Sequence, residues 1–196
     1  ELEQSFDLER VNPNPAVFNV EKLEWMNSQH LRRLDEAGRV RLVEAFLAAR
    51  GHDLAGRSSE WRATLVRAIG DRLKTLADAE RHGAFALRDA LEMDEEAWGE
   101  VCQRESVGPR LAALGARLAA VPEFTLESLE RETRDLAAEL GVKAGELIGP
   151  ARLALTGSKV SPGFFEVMWL LGRERTVARL EAAAARWRAE SPGARA

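Results

Sequence analysis

The sequence has one cysteine, Cys102, among its 196 residues. A single thiol excludes an internal disulfide and a cysteine-rich zinc site, and it favours a reducing compartment. No apolar run approaches the about 20 residues that a membrane helix needs, and no signal peptide is visible. These absences predict a cytoplasmic protein without a membrane partner.

Residues for catalysis and cofactor binding are also scarce. The three histidines, His30, His52 and His82, lie far apart and have no neighbouring ligands at metal-binding spacing. The sequence contains no glycine-rich phosphate loop of the Walker or Rossmann type. Cys102 lies on an apolar helix face without a histidine partner, so a small core residue is favoured over a nucleophile. We therefore predict no active site, metal or cofactor in this chain.

The charge is not that of a generally basic nucleic-acid-binding protein, because the net formal charge is −4. Its distribution is uneven. From Lys143 onward there are nine Lys/Arg and five Asp/Glu, a net charge of +4, which leaves −8 for the remainder. A local cationic surface in the C-terminal part is therefore compatible with the composition. Hydrophobic residues make up 45% of the chain, enough for one good core or two small ones.

Apolar residues recur at helical spacing along most of the sequence, and no segment alternates convincingly with period two. The class is predicted to be all-α, a bundle of helices. The residues that can cap a helix N-terminus are Asn19, Asp35, Ser58 or Ser59, Asp94 and Thr125. Interruptions are predicted at His82-Gly83 and Gly108-Pro109, with Pro109 in the first turn of the next helix.

The most informative segment is the helix junction within residues 148–180. One helix ends at Gly157, a polar loop follows, and an apolar helix begins at Phe164 and breaks at Gly172. A plain helix connection would use Ser161-Pro162 as N-cap and first helical residue. Alternatively, hydroxyls and cations at a helix N-terminus can bind unpaired RNA bases. Spacing alone favours the connection and leaves RNA binding open.

Two ordered blocks resemble bacterial glutamyl-tRNA synthetases. The N-terminal block is similar to the segment that follows the family's catalytic half, and it consists of Phe6–Val11, Ala16–Phe18 and Glu21–Asn27. The C-terminal block is similar to the signature near the family's C-terminus, and it consists of Arg152–Gly157, Ser161–Val167 and Leu170–Gly172. The two blocks lie about as far apart here as in the family and bracket nearly the whole chain.

The resemblance implies an anticodon-binding α-helix cage of two small subdomains, preceded by the end of a stem-contact helical region. The implied division is 1–34 for the stem-contact end, 35–93 and 94–188 for the two subdomains, and 189–196 for a disordered tail. The family's ATP-binding motifs are missing from the sequence, so this chain alone is not expected to activate glutamate. The parent enzyme would attach glutamate to tRNA(Glu) with ATP and Mg²⁺.

The resemblance also implies a set of nucleic-acid-binding residues. Arg72 matches the arginine that reads the third anticodon base in relatives that charge only glutamate tRNA. Arg152 matches an arginine that contacts anticodon nucleotides or phosphates. The loop expected to contact the anticodon is formed by Ser161, Pro162, Gly163 and Phe164. Charge and position add Lys159 to this set.

The expected partners are the anticodon loop of tRNA(Glu) and the catalytic domain of the full-length enzyme. Because the chain starts at Glu1 without a methionine, a fragment of a longer protein is expected. Two alternatives remain open at this point. One is a stand-alone helical module that binds protein through apolar grooves, and the other is a regulatory paralogue without a catalytic half.

Overall fold

The computed structural model describes Asp7 and residues 18–191. Within that part of the chain there are α-helices and a short 3-10 helix, Gly70–Arg72, but no strand, as the all-α prediction requires. The helices are α1 Val20–Arg33, α2 Glu36–Ala49, α3 Ser59–Ile69, α4 Ala77–Leu87, α5 Glu95–Cys102, α6 Val107–Ala120, α7 Leu126–Glu139, α8 Ala144–Thr156 and α9 Phe164–Glu190. Seven of the 16 residues of the predicted N-terminal block, positions 6, 8–11 and 16–17, lie outside the described residues.

Side chains cap the helices where the sequence predicts it. Asn19 Oδ1 accepts from Lys22 N at 2.9 Å, and Ser58 Oγ accepts from Trp61 N at 3.1 Å. Asp35 and Asp94 make the equivalent bonds at the starts of α2 and α5. Each cap satisfies a backbone N–H that the helix leaves unpaired, so these polar residues fix where the helices begin.

The longest helix, α9, packs against α3, α4, α6, α7 and α8. Opposite it, α6 buries Leu111, Leu114 and Leu118 completely, at the spacing of one helix face. Trp61 of α3 is buried and its Nε1 donates to Leu170 O of α9 at 2.8 Å. Buried residues from α1 to α9 form one contiguous core. The division at 34/35 and 93/94 therefore stays a prediction.

Three local predictions are wrong. Helix α4 runs through Gly83 without interruption, because Gly83 is buried and faces Leu65 and Leu87. Helix α6 begins at Val107, so the chain does not break at 108–109, although Pro109 does lie in the first turn. Helix α9 continues to Glu190, although the sequence predicts a tail from 189. Ser191 is buried, and its Oγ donates to the carbonyl of Cys102 at 3.0 Å.

Helix α9 bends at Gly172, whose backbone has φ 76° and ψ 169°, and this confirms the predicted break. The segment after the bend carries Arg179, whose Nη1 donates to Phe85 O in α4 and Leu155 O in α8, both at 2.8 Å. Arg175 Nη1 donates to Ala86 O at 2.9 Å. Burial, and then the charge of Arg175, lowers the pKa of Arg179 to about 10. We call Arg175 and Arg179 the arginine clamp.

The arginine clamp satisfies carbonyl groups at the C-terminal ends of two helices, where cations are favourable. It thereby holds the end of α4 beside the end of α8. None of the helices in residues 18–191 is both long and apolar enough to cross a membrane.

Candidate nucleic-acid interface

The loop of residues 157–163, between α8 and α9, is fixed at its first residue. Gly157 ends α8 in the left-handed conformation, with φ 74°, and its N–H donates to Leu153 O at 2.8 Å. Its carbonyl accepts from Asp94 N at 2.8 Å. A Cβ at this position would lie 2.2 Å from the carbonyl oxygen of Glu92. Glycine is therefore required both for the turn and for the close approach of residues 92–94.

Arg152, which lies in α8 before its last turn, spans the same loop. Its Nη1 donates to Ser161 Oγ and, at 2.6 Å, to Pro162 O. Its guanidinium lies 5.8 Å from the ring centre of Phe164. Burial, followed by the positive charge of Arg72, lowers the pKa of Arg152. Arg152 therefore sets the shape of the loop, and the electrostatic effect shows that Arg72 lies nearby.

Helix α9 begins at Phe164, as predicted. Ser161 and Pro162 are not its N-cap and first residue, as a plain helix connection would have them, because Arg152 engages both and Gly163 precedes the helix. Gly163 occupies the N-cap position, and the Glu166 carboxylate lies 2.1 Å from where a Cβ on Gly163 would be. A carboxylate of the chain itself thus lies at the helix N-terminus predicted to hold an anion.

Arg72 ends the 3-10 helix and is exposed, at the edge of a cavity of about 730 Å³. We call this space the α4 cavity. Its lining is polar and carries more positive than negative charge: Glu24, Arg72, Lys74, Thr75, Ala77, Asp78, Arg81 and His82. Among the residues that the structure describes, Arg72 makes no ion pair or hydrogen bond through its guanidinium. Its donors remain directed toward solvent and any ligand.

Asp78 fixes the segment that carries these cations. Its carboxylate accepts from Thr75 N at 2.8 Å, from Lys74 N at 3.1 Å and from Arg81 Nη2 at 2.5 Å. Burial raises the pKa of Asp78, but the bonds from Thr75, Arg81 and Lys74 outweigh it, so the net shift is downward. A charged, buried carboxylate thus orders residues 74–75 and orients Arg81.

Another cavity of about 400 Å³, the loop cavity, lies between α4 and the 157–163 loop. Hydroxyls and apolar groups line it together with a cation and an imidazole: Arg81, His82, Ala84, Phe85, Thr156, Ser158, Val160, Ser161 and Pro162. Arg81 and His82 line both cavities. Two predicted elements that are about eighty residues apart, Arg72 and the loop, therefore border adjoining spaces on one face of the molecule.

Two predicted contact residues lie elsewhere. Phe164 is only 4% exposed and packs against Phe165, so its ring cannot stack on a base. Lys159 points to α5, where its Nζ lies 2.8 Å from Glu100, and neither cavity includes it among its lining. The hydrogen bond to Glu100 raises the pKa of Lys159, so this lysine stays protonated and paired with the Glu100 carboxylate.

Sequence reasoning missed Arg81 and His82. Their signal is the i, i+3 and i, i+4 spacing from Asp78, which places all three on one face of α4. The interruption predicted at His82-Gly83 would end the helix there, so the sequence alone does not place the three residues on one helix face. Within residues 18–191, no group of three or more His, Cys, Asp and Glu side chains could hold a metal ion. Cys102 is buried, and burial raises the pKa of its thiol.

Comparison with known proteins identifies the fold and the family. The model of the family described as "Anticodon binding domain" matches residues 39–184. The chain belongs to this family. It is also 35% identical, over 182 residues, to a glutamate–tRNA ligase from Thermodesulfovibrio yellowstonii, covering 92% of this chain and 39% of the relative. A glutamate–tRNA ligase from Roseiflexus castenholzii is 39% identical over 189 residues, which are 93% of this chain and 37% of that protein.

The solved glutamate–tRNA ligase from Elizabethkingia meningosepticum, in complex with its amino acid, shares the fold with a TM-score of 0.78. It is 23% identical, and the match covers 92% of this chain and 35% of that chain. The resemblance to the C-terminal, anticodon-binding part of this synthetase family is thus confirmed. The chain spans less than two fifths of the length of the relatives it matches, 39% and 37% for the two named ligases.

Proposed function

We propose that the chain recognises the anticodon loop of tRNA(Glu) as part of a cytoplasmic glutamate–tRNA ligase. The observation that carries this proposal is the pair of adjoining cavities on α4, lined by the donors of Arg72, Lys74 and Arg81 and by loop hydroxyls. Guanidinium and hydroxyl groups recognise the edges of unpaired bases and the phosphates beside them. The family of the chain supports the same function.

The predicted contact residues divide into two roles in this proposal. Arg72, Ser161 and Pro162 contact nucleotides, with Arg72 reading the third anticodon base. Arg152 and Phe164 act beneath them, because they hold the loop in the conformation that forms its cavity. Within the whole enzyme, ATP and Mg²⁺ would serve the catalytic part, and this chain would supply tRNA selection.

An exposed apolar surface supports the assignment to a larger enzyme. Val20, Leu23 and Met26, on one face of α1, are 55%, 51% and 44% exposed. A contiguous patch of exposed apolar side chains commonly marks a site where a protein binds a partner. We propose that this face contacts the remaining part of the ligase, including its catalytic domain. A free-standing module that binds an unrelated protein would use the same face, so RNA binding is the property that distinguishes the two functions.

The test is binding of a tRNA(Glu) transcript to the full chain over a series of salt concentrations. Each phosphate contact with single-stranded RNA contributes about −0.7 to the slope of log K against log salt, so the three cavity cations predict a slope of about −2. A transcript that differs only in its anticodon is the matched control and should bind more weakly. Equal binding of both transcripts, or binding insensitive to salt, would refute the proposal.

A further inference from the structure

His82 occupies a special place in the candidate interface. It lies on α4, partly buried, and lines both the α4 cavity and the loop cavity. Its Nε2 lies 3.5 Å from Arg81 Nη2, which is a donor, so the imidazole lone pair faces a guanidinium. A ligand that entered either cavity would therefore meet this ring.

The polar groups around His82 come from its own helix, from α1, from the segment 72–74, and from the α8 end with the loop that follows it. Asp78 and Arg81 lie on its own helix, and Arg72 faces it from the 3-10 helix. Glu24 of α1 and Lys74 line the α4 cavity with it. The α8 end and the loop contribute Thr156, Ser158 and Ser161, which do not titrate at neutral pH. The ring therefore has more cations than anions near it.

This environment favours the neutral form of the ring. Burial lowers the pKa of His82, and Arg81 and Arg72 lower it further against the opposing effect of Asp78. A neutral imidazole differs from the cations beside it, because it offers an uncharged π-face and one acceptor nitrogen, whereas Arg72, Lys74 and Arg81 can only donate. Aromatic rings beside cations are what single-stranded nucleic acids stack on.

We propose that His82 is a nucleobase-contacting residue, whose ring packs against an unpaired base at the wall between the two cavities. The proposal rests on the proposed function and adds a contact that the sequence resemblance does not contain. Bound RNA brings phosphates close to the ring, and a nearby negative charge favours the imidazolium. The bound complex therefore takes up a proton more readily than the free protein does.

The sign of the pH dependence follows from this linkage. RNA raises the pKa of His82 in the complex above its value in the free chain, so binding strengthens as the pH falls through the bound value. The gain is complete once the pH lies below the value in the free chain. Protonation of RNA or of other histidines is common to all variants, so the contribution of His82 is the difference between variants.

The experiment measures binding of the anticodon stem–loop RNA of tRNA(Glu) to three chains, at about pH 7.5 and about pH 5.5. His82→Ala removes the ring and should weaken binding about 5- to 150-fold at the higher pH, the range for one stacked base. His82→Phe keeps a ring and should bind within a fewfold of wild type there. It should lack the gain in affinity that wild type shows at the lower pH.

The matched control is His30→Ala, an exposed histidine on α1 that lines neither cavity. It should bind as wild type does at both pH values. Thermal unfolding of each variant shows whether the bundle is intact, and His82→Phe remains informative if His82→Ala is destabilised.

The possible outcomes separate the two hypotheses. If wild type does not distinguish this RNA from a stem–loop with another anticodon, the proposed function fails. If wild type does distinguish them and both His82 variants match His30→Ala at both pH values, the role of His82 is refuted while the function stands.

Discussion

Two groups of arginines near α4 differ in what their donors do. The arginine clamp, Arg175 and Arg179, donates to backbone carbonyls at the ends of α4 and α8. Arg72 and Arg81 line the α4 cavity, and of these two Arg81 donates to the Asp78 carboxylate. Burial lowers the pKa of the clamp arginines, whereas the side chain of Arg81 is 71% exposed.

The difference shows why a count of cations does not locate the positive charge that is available to a ligand. The C-terminal part carries a net charge of +4, yet its clamp arginines direct their donors inside the protein and Lys159 is paired with Glu100. The exposed cations at the cavities come from the acidic N-terminal part. Charge available to a ligand depends on which donors the fold leaves unsatisfied.

The largest expected effect is on stability, from Arg179→Ala. The substitution leaves the Leu155 carbonyl without its arginine donor and the Phe85 carbonyl with only the longer bond from Arg175 Nη2, at 3.5 Å, and an unsatisfied buried acceptor costs about 1–3 kcal/mol. We expect a loss of about 3 kcal/mol in the free energy of unfolding, measured with urea. The control Arg188→Ala removes an exposed cation from the same helix and should change it by less than about 0.5 kcal/mol. If Arg179→Ala and Arg188→Ala lowered the free energy of unfolding equally, the clamp arginine would stabilise the fold no more than an exposed arginine does.

Arg72→Gln should weaken recognition of the anticodon and leave the free energy of unfolding unchanged. A guanidinium that reads a base edge contributes about 1–3 kcal/mol of discrimination. We expect discrimination between tRNA transcripts that differ only at the third anticodon base to fall about 5- to 150-fold, with unfolding unchanged. Arg72→Lys keeps the charge but not the planar fork, so it should restore affinity without restoring discrimination. Undiminished discrimination in Arg72→Gln would show that Arg72 does not read that base.

Asp78→Asn tests the residue that orders the cavity cations. Because bonds from Thr75, Arg81 and Lys74 hold the pKa of Asp78 below 3.8, its contribution to stability is present above that value and is lost as the pH falls through the lowered one. At neutral pH the variant should lose about 1–2 kcal/mol, since charged-group hydrogen bonds are replaced. This difference should shrink below about pH 4 when unfolding is followed at several pH values. A difference independent of pH would rule out a charged Asp78 as its source.

Lys159→Ala should have the smallest effect. Lys159 and Glu100 are both about half exposed, at 51% and 54%, and such pairs contribute about 0–1 kcal/mol. We expect unfolding within about 0.5 kcal/mol of wild type and RNA affinity within about twofold. Glu100→Ala is the matched control, because it frees the lysine. If Lys159→Ala strongly weakened RNA binding and Glu100→Ala did not, Lys159 would belong to the interface.

The fold was largely predictable because its signals are local. Periodic apolar residues and capping side chains such as Asn19 and Asp94 define helices without reference to the rest of the chain. The failures have non-local causes. Gly83 resembles an interruption until α3 is packed against it, and Ser161 resembles an N-cap until Arg152 engages it.

The site was predictable in part. Resemblance supplied Arg72 and the 157–163 loop, and the structure brings these together at adjoining cavities. Neither the resemblance, which supplied Phe164, nor charge and position, which supplied Lys159, gives the direction of a side chain. Phe164 is buried, and Lys159 is paired with Glu100. Arg81 and His82 belong to α4, and only the packing of that helix against the loop reveals them.

The bend at Gly172 requires backbone angles whose energy depends on the chirality of the residue. Its φ of 76° with ψ of 169° belongs to a region that is essentially closed to L-residues. A Cβ there would nevertheless meet nothing within 4 Å, so space is not the obstacle. The backbone angles alone therefore disfavour L-alanine at this position. Among the genetically encoded amino acids the position accepts glycine because glycine is achiral, and the angle between the loop and the arginine clamp depends on that property.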